Sequence, residues 1–330
     1  MEFNLNLFTQ YLINGVANGM LIALIALGYT LVYGIVELIN FAHGEVFMMG
    51  ALFAITVVGA THVSDDSPVL AIVLVSIFAL IAAMTFSGTL NWSIDRVVYR
   101  RLRNAPRLAP LIAAIGLSFI LQGIGIYWIG SNNVKPPDLI SNDVRSLNIL
   151  KAWLHLSTKI RLRPLDLIVV GVTIPLLIGL SYFVYRTRTG KAMRATAQDR
   201  EAAALMGIDV NRTIATAFAV GGVLAGAAAF ITMYYTNSAS FRMGFRYGLF
   251  AFTAAVLGGI GNLTGAVVGG LIIGIVWQMS DGFVQTYLPW WGAQWTPVAI
   301  FGVLVLVMIF KPSGLLGEHT VDKVLEGHDG

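Results

Sequence analysis

Eight times along this chain the residues stay apolar long enough to cross a hydrocarbon core as a helix. The runs are Tyr11 to Val36, Phe41 to Ala60, Val69 to Leu90, Leu108 to Gly130, Leu165 to Tyr185, Thr213 to Tyr235, Leu249 to Ser280 and Trp295 to Phe310. A core about 30 Å thick needs about 20 residues of helix, whereas the strands of a membrane barrel alternate over about ten. The expected fold class is therefore all-α, a polytopic transmembrane helix bundle with about eight spans. Composition agrees: 12% charged residues and 57% hydrophobic ones exclude a soluble domain, where charge runs near roughly 25%. With no cysteine in the chain, disulfides, thiolate nucleophiles and Cys-ligated metals are excluded too. A pI near 9.3 invites a nucleic-acid reading, but the net charge is only +4 and the basic residues sit in short loops between apolar runs. That pattern records membrane topology rather than a nucleic-acid partner.

The basic residues set the orientation. None precedes Arg96, so the first run lacks the basic start of a signal peptide and is expected to stay in the mature protein. Arg96, Arg100, Arg101, Arg103 and Arg107 form one cluster, and Arg186, Arg188, Lys191, Arg194, Arg200 and Arg212 a second. Both belong inside. The segment 131–164 then falls outside as an extracytoplasmic loop, against the pull of its own Lys135, Arg145, Lys151, Lys159, Arg161 and Arg163. The amino terminus is expected outside. Lys311 comes inside if Leu249 to Ser280 crosses twice, as half-helices or a re-entrant hairpin. The whole of 1–330 reads as a single transmembrane domain.

Two polar or glycine-rich interruptions suggest broken helices, near 37–45 and 258–265. In the first, Asn40 is a favourable N-cap for a helix starting near residue 41, with Glu45 in its first turn against the positive helix end. If that start lies inside the bilayer, its free N–H groups need a polar partner or a water-filled cavity; a hairpin tip resting at the interface fits equally well. In the second, four glycines within Gly258 to Gly265 oppose a steady helix. A phosphate-binding loop is excluded by the missing Lys-Ser/Thr, leaving a broken span beside a cavity or a small-residue packing seam. The two interruptions form a rough early–late pair, a pointer to a midplane site between repeats. Intramembrane charges are otherwise few: Glu37 and Glu45 near the first break, and Asp281 at the end of the second. His43, His62, His155, His319 and His328 are scattered, so no metal site or proton relay is expected, and no catalytic constellation stands out. Trp277, Trp290, Trp291 and Trp295 read as an outer aromatic belt.

The longest structured polar stretch is 188–212. Its alanines and long polar side chains predict a short amphipathic helix at the inner face, with Gly207 past its end and Asp209 or Asn211 capping the next helix. The small face of Ala195, Ala202 and Ala203 would let another protein approach; an interfacial helix anchored by arginines is the plainer alternative.

At these motifs the sequence resembles the membrane permease subunits of branched-chain amino acid ABC importers. The resemblance is carried by residues 26–35 (ALGYTLVYGI), 39–45 (INFAHGE), 94–100 (IDRVVYR), 251–261 (AFTAAVLGGIG) and 312–317 (PSGLLG). It implies an importer permease of the ribose/branched-chain amino acid type in a bacterial inner membrane. It also implies a second homologous permease subunit, two ATP-binding subunits and a periplasmic or lipid-anchored solute-binding protein as partners. The chain itself would hydrolyse no ATP and need no cofactor. Under this resemblance 186–212 becomes a cytoplasmic coupling loop, its Glu201-Ala202-Ala203 with Gly207 matching the family's ATPase-docking spacing. Arg194, Asp199, Glu201, Ala202, Ala203 and Gly207 are the expected coupling residues, and Asn40, His43, Glu45, Thr253 and Asn262 the expected pathway or gate residues. A urea or short-chain amide permease of the same family is the nearest alternative, and a stand-alone ion-coupled transporter the alternative from another class.

Overall fold

The computed structural model describes residues 4–36, 40–103, 105–106, 108–141, 144–145, 147–149 and 160–317. In chain order its helices are α1 (Leu5–Val36), α2 (His43–Thr61), α3 (Val69–Leu102), α4 (Leu108–Ile129), α5 (Pro164–Arg186), α6 (Arg188–Gln198), α7 (Arg200–Leu205), α8 (Val210–Thr236), α9 (Met243–Gly258), α10 (Leu263–Tyr287) and α11 (Ala293–Phe310). All but α6, α7 and the shorter apolar α9 are long and apolar enough to span a membrane, eight among the described residues. Helix satisfies every backbone group within the segment, as lipid demands.

α1 and α8 form the buried centre, while α3, α4, α5 and α11 turn residues such as Leu74, Phe119, Ile178 and Phe310 outward. α1 lies along α10 in the opposite sense: the Asn4 N–H donates to the Tyr287 hydroxyl at 2.8 Å at one end, and Gly34 faces Gly261 at the other. α3 lies along α8 in the same way, with α2 packed on α3, α8 and α9, and α9 packed on α10, α1 and α2. Exchanging α1–α3 with α8–α10 maps this pattern onto itself. α1 ends and α8 begins beside the α6–α7 loop, so the two run in opposite senses and the halves are inverted, an arrangement that places transport sites between repeats. The sequence carries a trace of this: Phe41 and Gly44 recur as Phe241 and Gly244 at the starts of α2 and α9, and Gly88 and Gly274 each precede an aspartate, Asp95 and Asp281, by the same interval. Each aspartate lies in a π-turn, 95–99 in α3 and 279–284 in α10. The late partner of the break near 37–45 is therefore the start of α9 and not 258–265, which corrects the pairing expected from the two interruptions.

Both breaks exist, though not as drawn from sequence. α2 begins at His43, its cap position is Ala42 with no side-chain bond, and Asn40 is not its cap; residues 37–39, including Glu37, lie outside the described residues. The run at 249–280 divides into α9, which starts at Met243, and α10, which continues to Tyr287. Between them Gly259 and Gly261 turn with φ of +104° and +93°, Gly259 packed on the segment that follows α11 and Gly261 facing Gly34 of α1. The later glycines form a packing seam: Gly265 and Gly269 face α9, and Gly270 and Gly274 face α1. A Cβ on Gly274 would strike the Gly19 backbone, which explains glycine at that crossing. Trp277 is buried between Tyr247 and Phe250 and leaves the aromatic belt to Trp290, Trp291 and Trp295.

Two of the basic residues in 131–164 have local partners. The Arg163 N–H and guanidinium both donate to Asp166 at 2.9 Å, at the start of α5, and the guanidinium lies over Tyr235. Burial disfavours that charge, yet Asp166 and Tyr235 together hold its pKa above the ordinary value. Arg145 donates to the Ile140 carbonyl at 3.2 Å. Lys151, Lys159 and His155 lie outside the described residues, as do Arg107, His319 and His328.

Candidate functional site

The starts of α2 and α9 meet in the interior. Gly44 and Gly248 cross so closely that a Cβ on Gly248 would lie 2.7 Å from the Gly44 Cα; only glycines permit that approach. Around this crossing the polar residues are buried. The Asn40 Oδ1 accepts from the Tyr99 hydroxyl at 2.9 Å, its Nδ2 reaches Asn91 Oδ1 at 3.4 Å, and Asn91 Nδ2 donates to the Phe218 carbonyl at 2.6 Å. His43 packs edge-on against Tyr29, ring centroids 4.8 Å apart, and against Gly28, without a well-formed side-chain hydrogen bond. Glu45, 1% exposed, accepts at Oε1 from Gln122 Nε2 (2.8 Å) and the Ser118 hydroxyl (3.1 Å) of α4, while its Oε2 lies unpartnered against Gly244. A buried carboxylate without a cation is costly inside a membrane and marks a functional position.

Asn40 and His43 line a cleft with Tyr29, Val32, Tyr33 and Phe252. Its free space is about 10 Å³, room for one water at most. Towards the inner end the chain opens instead into a cavity of about 730 Å³ between the end of α1, the start of α4 and the α6–α7 loop. Tyr33 lines both spaces and stands at the boundary. The other expected pathway residues lie elsewhere. Thr253 is buried with its hydroxyl donating to the Leu249 carbonyl of its own helix at 2.9 Å. Asn262 caps α10, accepting from the Gly265 N–H at 2.9 Å, and donates to the Leu316 carbonyl at 2.7 Å. Tyr99 lies in the 94–100 motif and Asn91 shortly before it, but neither was singled out, because nothing local shows that both reach Asn40 across the bundle.

The polar stretch 188–212 folds as two helices instead of one. The Thr187 hydroxyl accepts from the Gly190 N–H at 3.0 Å to start α6; Asp199 Oδ1 accepts from the N–H groups of Glu201 (2.8 Å) and Ala202 (3.0 Å) to start α7. Gly207, at φ +82°, closes α7 in the left-handed conformation glycine favours, and Asp209 Oδ1 accepts from the Arg212 N–H at 3.0 Å to start α8. The faces differ from those expected. Ala203 is 4% exposed and turned into the chain, and Arg194 donates to the Val184 carbonyl and lies over Tyr185. Asp199, Glu201, Ala202 and Gly207 remain exposed, and beside them stand Leu205 (88% exposed) and Met206 (83%), which the alanine pattern did not single out. Two apolar side chains held out at a polar helix end form a small contact patch. The loop is also tied inward: Arg200 Nη2 donates to the Ile35 carbonyl at 2.9 Å.

Residues 11–310 match the family model described as the permease component of branched-chain amino acid transport systems. The chain is 36% identical to the high-affinity branched-chain amino acid transport system permease protein LivH of Salmonella typhimurium, over 96% of this chain and 98% of that one. It is 38% identical to the corresponding permease protein BraD of Pseudomonas aeruginosa over the same shares. To the probable branched-chain amino acid transport permease LivH of Methanocaldococcus jannaschii it is 29% identical, over 90% of this chain and 89% of the relative. No solved structure matches it.

Proposed function

Because this chain belongs to the family of permease components of branched-chain amino acid transport systems, we propose that it forms one half of the membrane pathway of an ATP-driven importer for leucine, isoleucine and valine. The observation that carries this reading is its near-full-length likeness, at 36–38% identity, to permeases named for those substrates. A second, homologous permease forms the other half. A solute-binding protein delivers the amino acid to the outer loops, 131–164 among them. Two separate ATPase subunits hydrolyse ATP and dock on the α6–α7 loop through Glu201, Ala202, Leu205 and Met206. The pathway runs past the α2–α9 crossing, with Asn40 and His43 on its wall and Tyr33 between the closed cleft and the inner cavity. Glu45 stands on the other face of α2, between α4 and α9.

Uptake of radiolabelled leucine and urea, in cells lacking the gene and in cells regaining it, tests the substrate class. Leucine uptake should return with the gene; urea uptake without leucine uptake would replace the reading with that of an amide permease.

A further inference from the structure

Two bonds, one to the last described turn of α1 and one to Asn40 just ahead of the buried start of α2, lead back to the 186–212 loop. On the near side, Arg200, the first residue of α7, donates Nη2 to the Ile35 carbonyl at 2.9 Å. That carbonyl belongs to the last described turn of α1, towards the negative end of the helix dipole, where a guanidinium is well placed. On the far side, the Tyr99 hydroxyl donates to Asn40 Oδ1 at 2.9 Å. Tyr99 ends the π-turn of α3. At the start of that turn Asp95, buried, takes a 2.6 Å bond from Arg103 Nη2, and Arg103 Nη1 donates to Asn211 Oδ1 at 2.5 Å. Asn211 lies in the first turn of α8, just beyond the Gly207 turn that ends α7. Such a π-helical turn inside an α-helix is rare and recurs at functional sites.

We infer that Arg200 and Tyr99 are positioning residues that carry displacement of the α6–α7 loop to the two sides of the α1–α2 interval. Arg200 acts directly, and Tyr99 acts through Asn211, Arg103 and the π-turn. This rests on the docking of an ATPase to the loop, so the experiment reads docking separately. A pull on α7 draws the end of α1 by its carbonyl, while tilting of the α8 start turns the π-turn and moves Asn40 together with His43. The cleft that admits at most one water lies between these two handles.

The chain has no native cysteine, so Val32→Cys places its only thiol in the cleft. In the complete complex, with cysteine-free partner subunits in lipid nanodiscs, maleimide labelling of that thiol is timed with and without ATP and vanadate, and leucine transported per ATP is measured in proteoliposomes. Nucleotide should change the labelling rate in the parent. Tyr99→Phe, which removes one oxygen atom, and Arg200→Gln should each reduce that change and the leucine-to-ATP ratio by roughly two- to thirtyfold, with the ATPases still co-purifying and hydrolysing ATP. Arg200→Lys, which keeps one donor for the Ile35 carbonyl, should recover part of the loss. Parental labelling and coupling in both Tyr99→Phe and Arg200→Gln would overturn the inference. Loss of ATPase binding in both would overturn it too, by assigning these residues to docking. If only Arg200→Gln loses the ATPases, the buried Tyr99→Phe decides.

Discussion

Asp199 shapes the coupling loop through its carboxylate oxygen. With Oδ1 taking the N–H groups of Glu201 and Ala202, the chain turns between α6 and α7 and sets Leu205 and Met206 outward. Removing such a cap costs about 0.5–2 kcal/mol. In Asp199→Ala, hydrogen exchange of amides 200–205 should quicken by roughly two- to thirtyfold, the Boltzmann factor of that loss, while Asp199→Asn retains most of the protection; unchanged exchange in the alanine variant would contradict the capping role. At the same scale, Glu45 and Asn40 were visible in the sequence because polar residues in an apolar run stand out, but their partners were not. Ser118, Gln122 and Tyr99 reach them from distant spans, and no local pattern announces a contact made across the bundle.

Among the elements, the long spans were the most legible part, since bilayer thickness fixes their length and leaves the sequence little freedom. α9 was legible only in part. Its first turn holds Arg246, which breaks the apolar run; in the fold that guanidinium lies 4.6 Å from the Trp277 ring centroid and 3.5 Å from Asp281, so helix begins ahead of the hydropathy signal. The coupling loop was recognisable by composition and by Gly207, but its faces were not, because alanine is compatible with either side of a helix. Ala203 turned inward and Leu205 and Met206 outward as α7 packs against α6 and α8. Replacing Leu205 and Met206 together by Glu should leave the chain inserted while abolishing co-purification of the ATPase subunits, since the change removes an apolar contact and adds two charges. Undiminished co-purification would move the docking surface elsewhere.

At the scale of the whole molecule, the inverted pairing of α1–α3 with α8–α10 puts two helix starts, α2 and α9, face to face across glycine backbones at the centre of the bundle. Half of this symmetry was hidden from the sequence, because the matching residues, Phe41 with Phe241 and Gly44 with Gly244, are too few to rise above the apolar background. What the sequence did convey was charge gathered in two short loops and the likeness to permease components of transport systems. The central claim is that this chain moves branched-chain amino acids only as part of such an assembly, driven by ATP hydrolysed elsewhere. The direct measurement is accumulation of radiolabelled leucine in proteoliposomes holding this chain alone, or with its second permease, ATPase subunits and binding protein. Accumulation should require all the subunits and ATP; accumulation by this chain alone, driven by an ion gradient, would contradict the account.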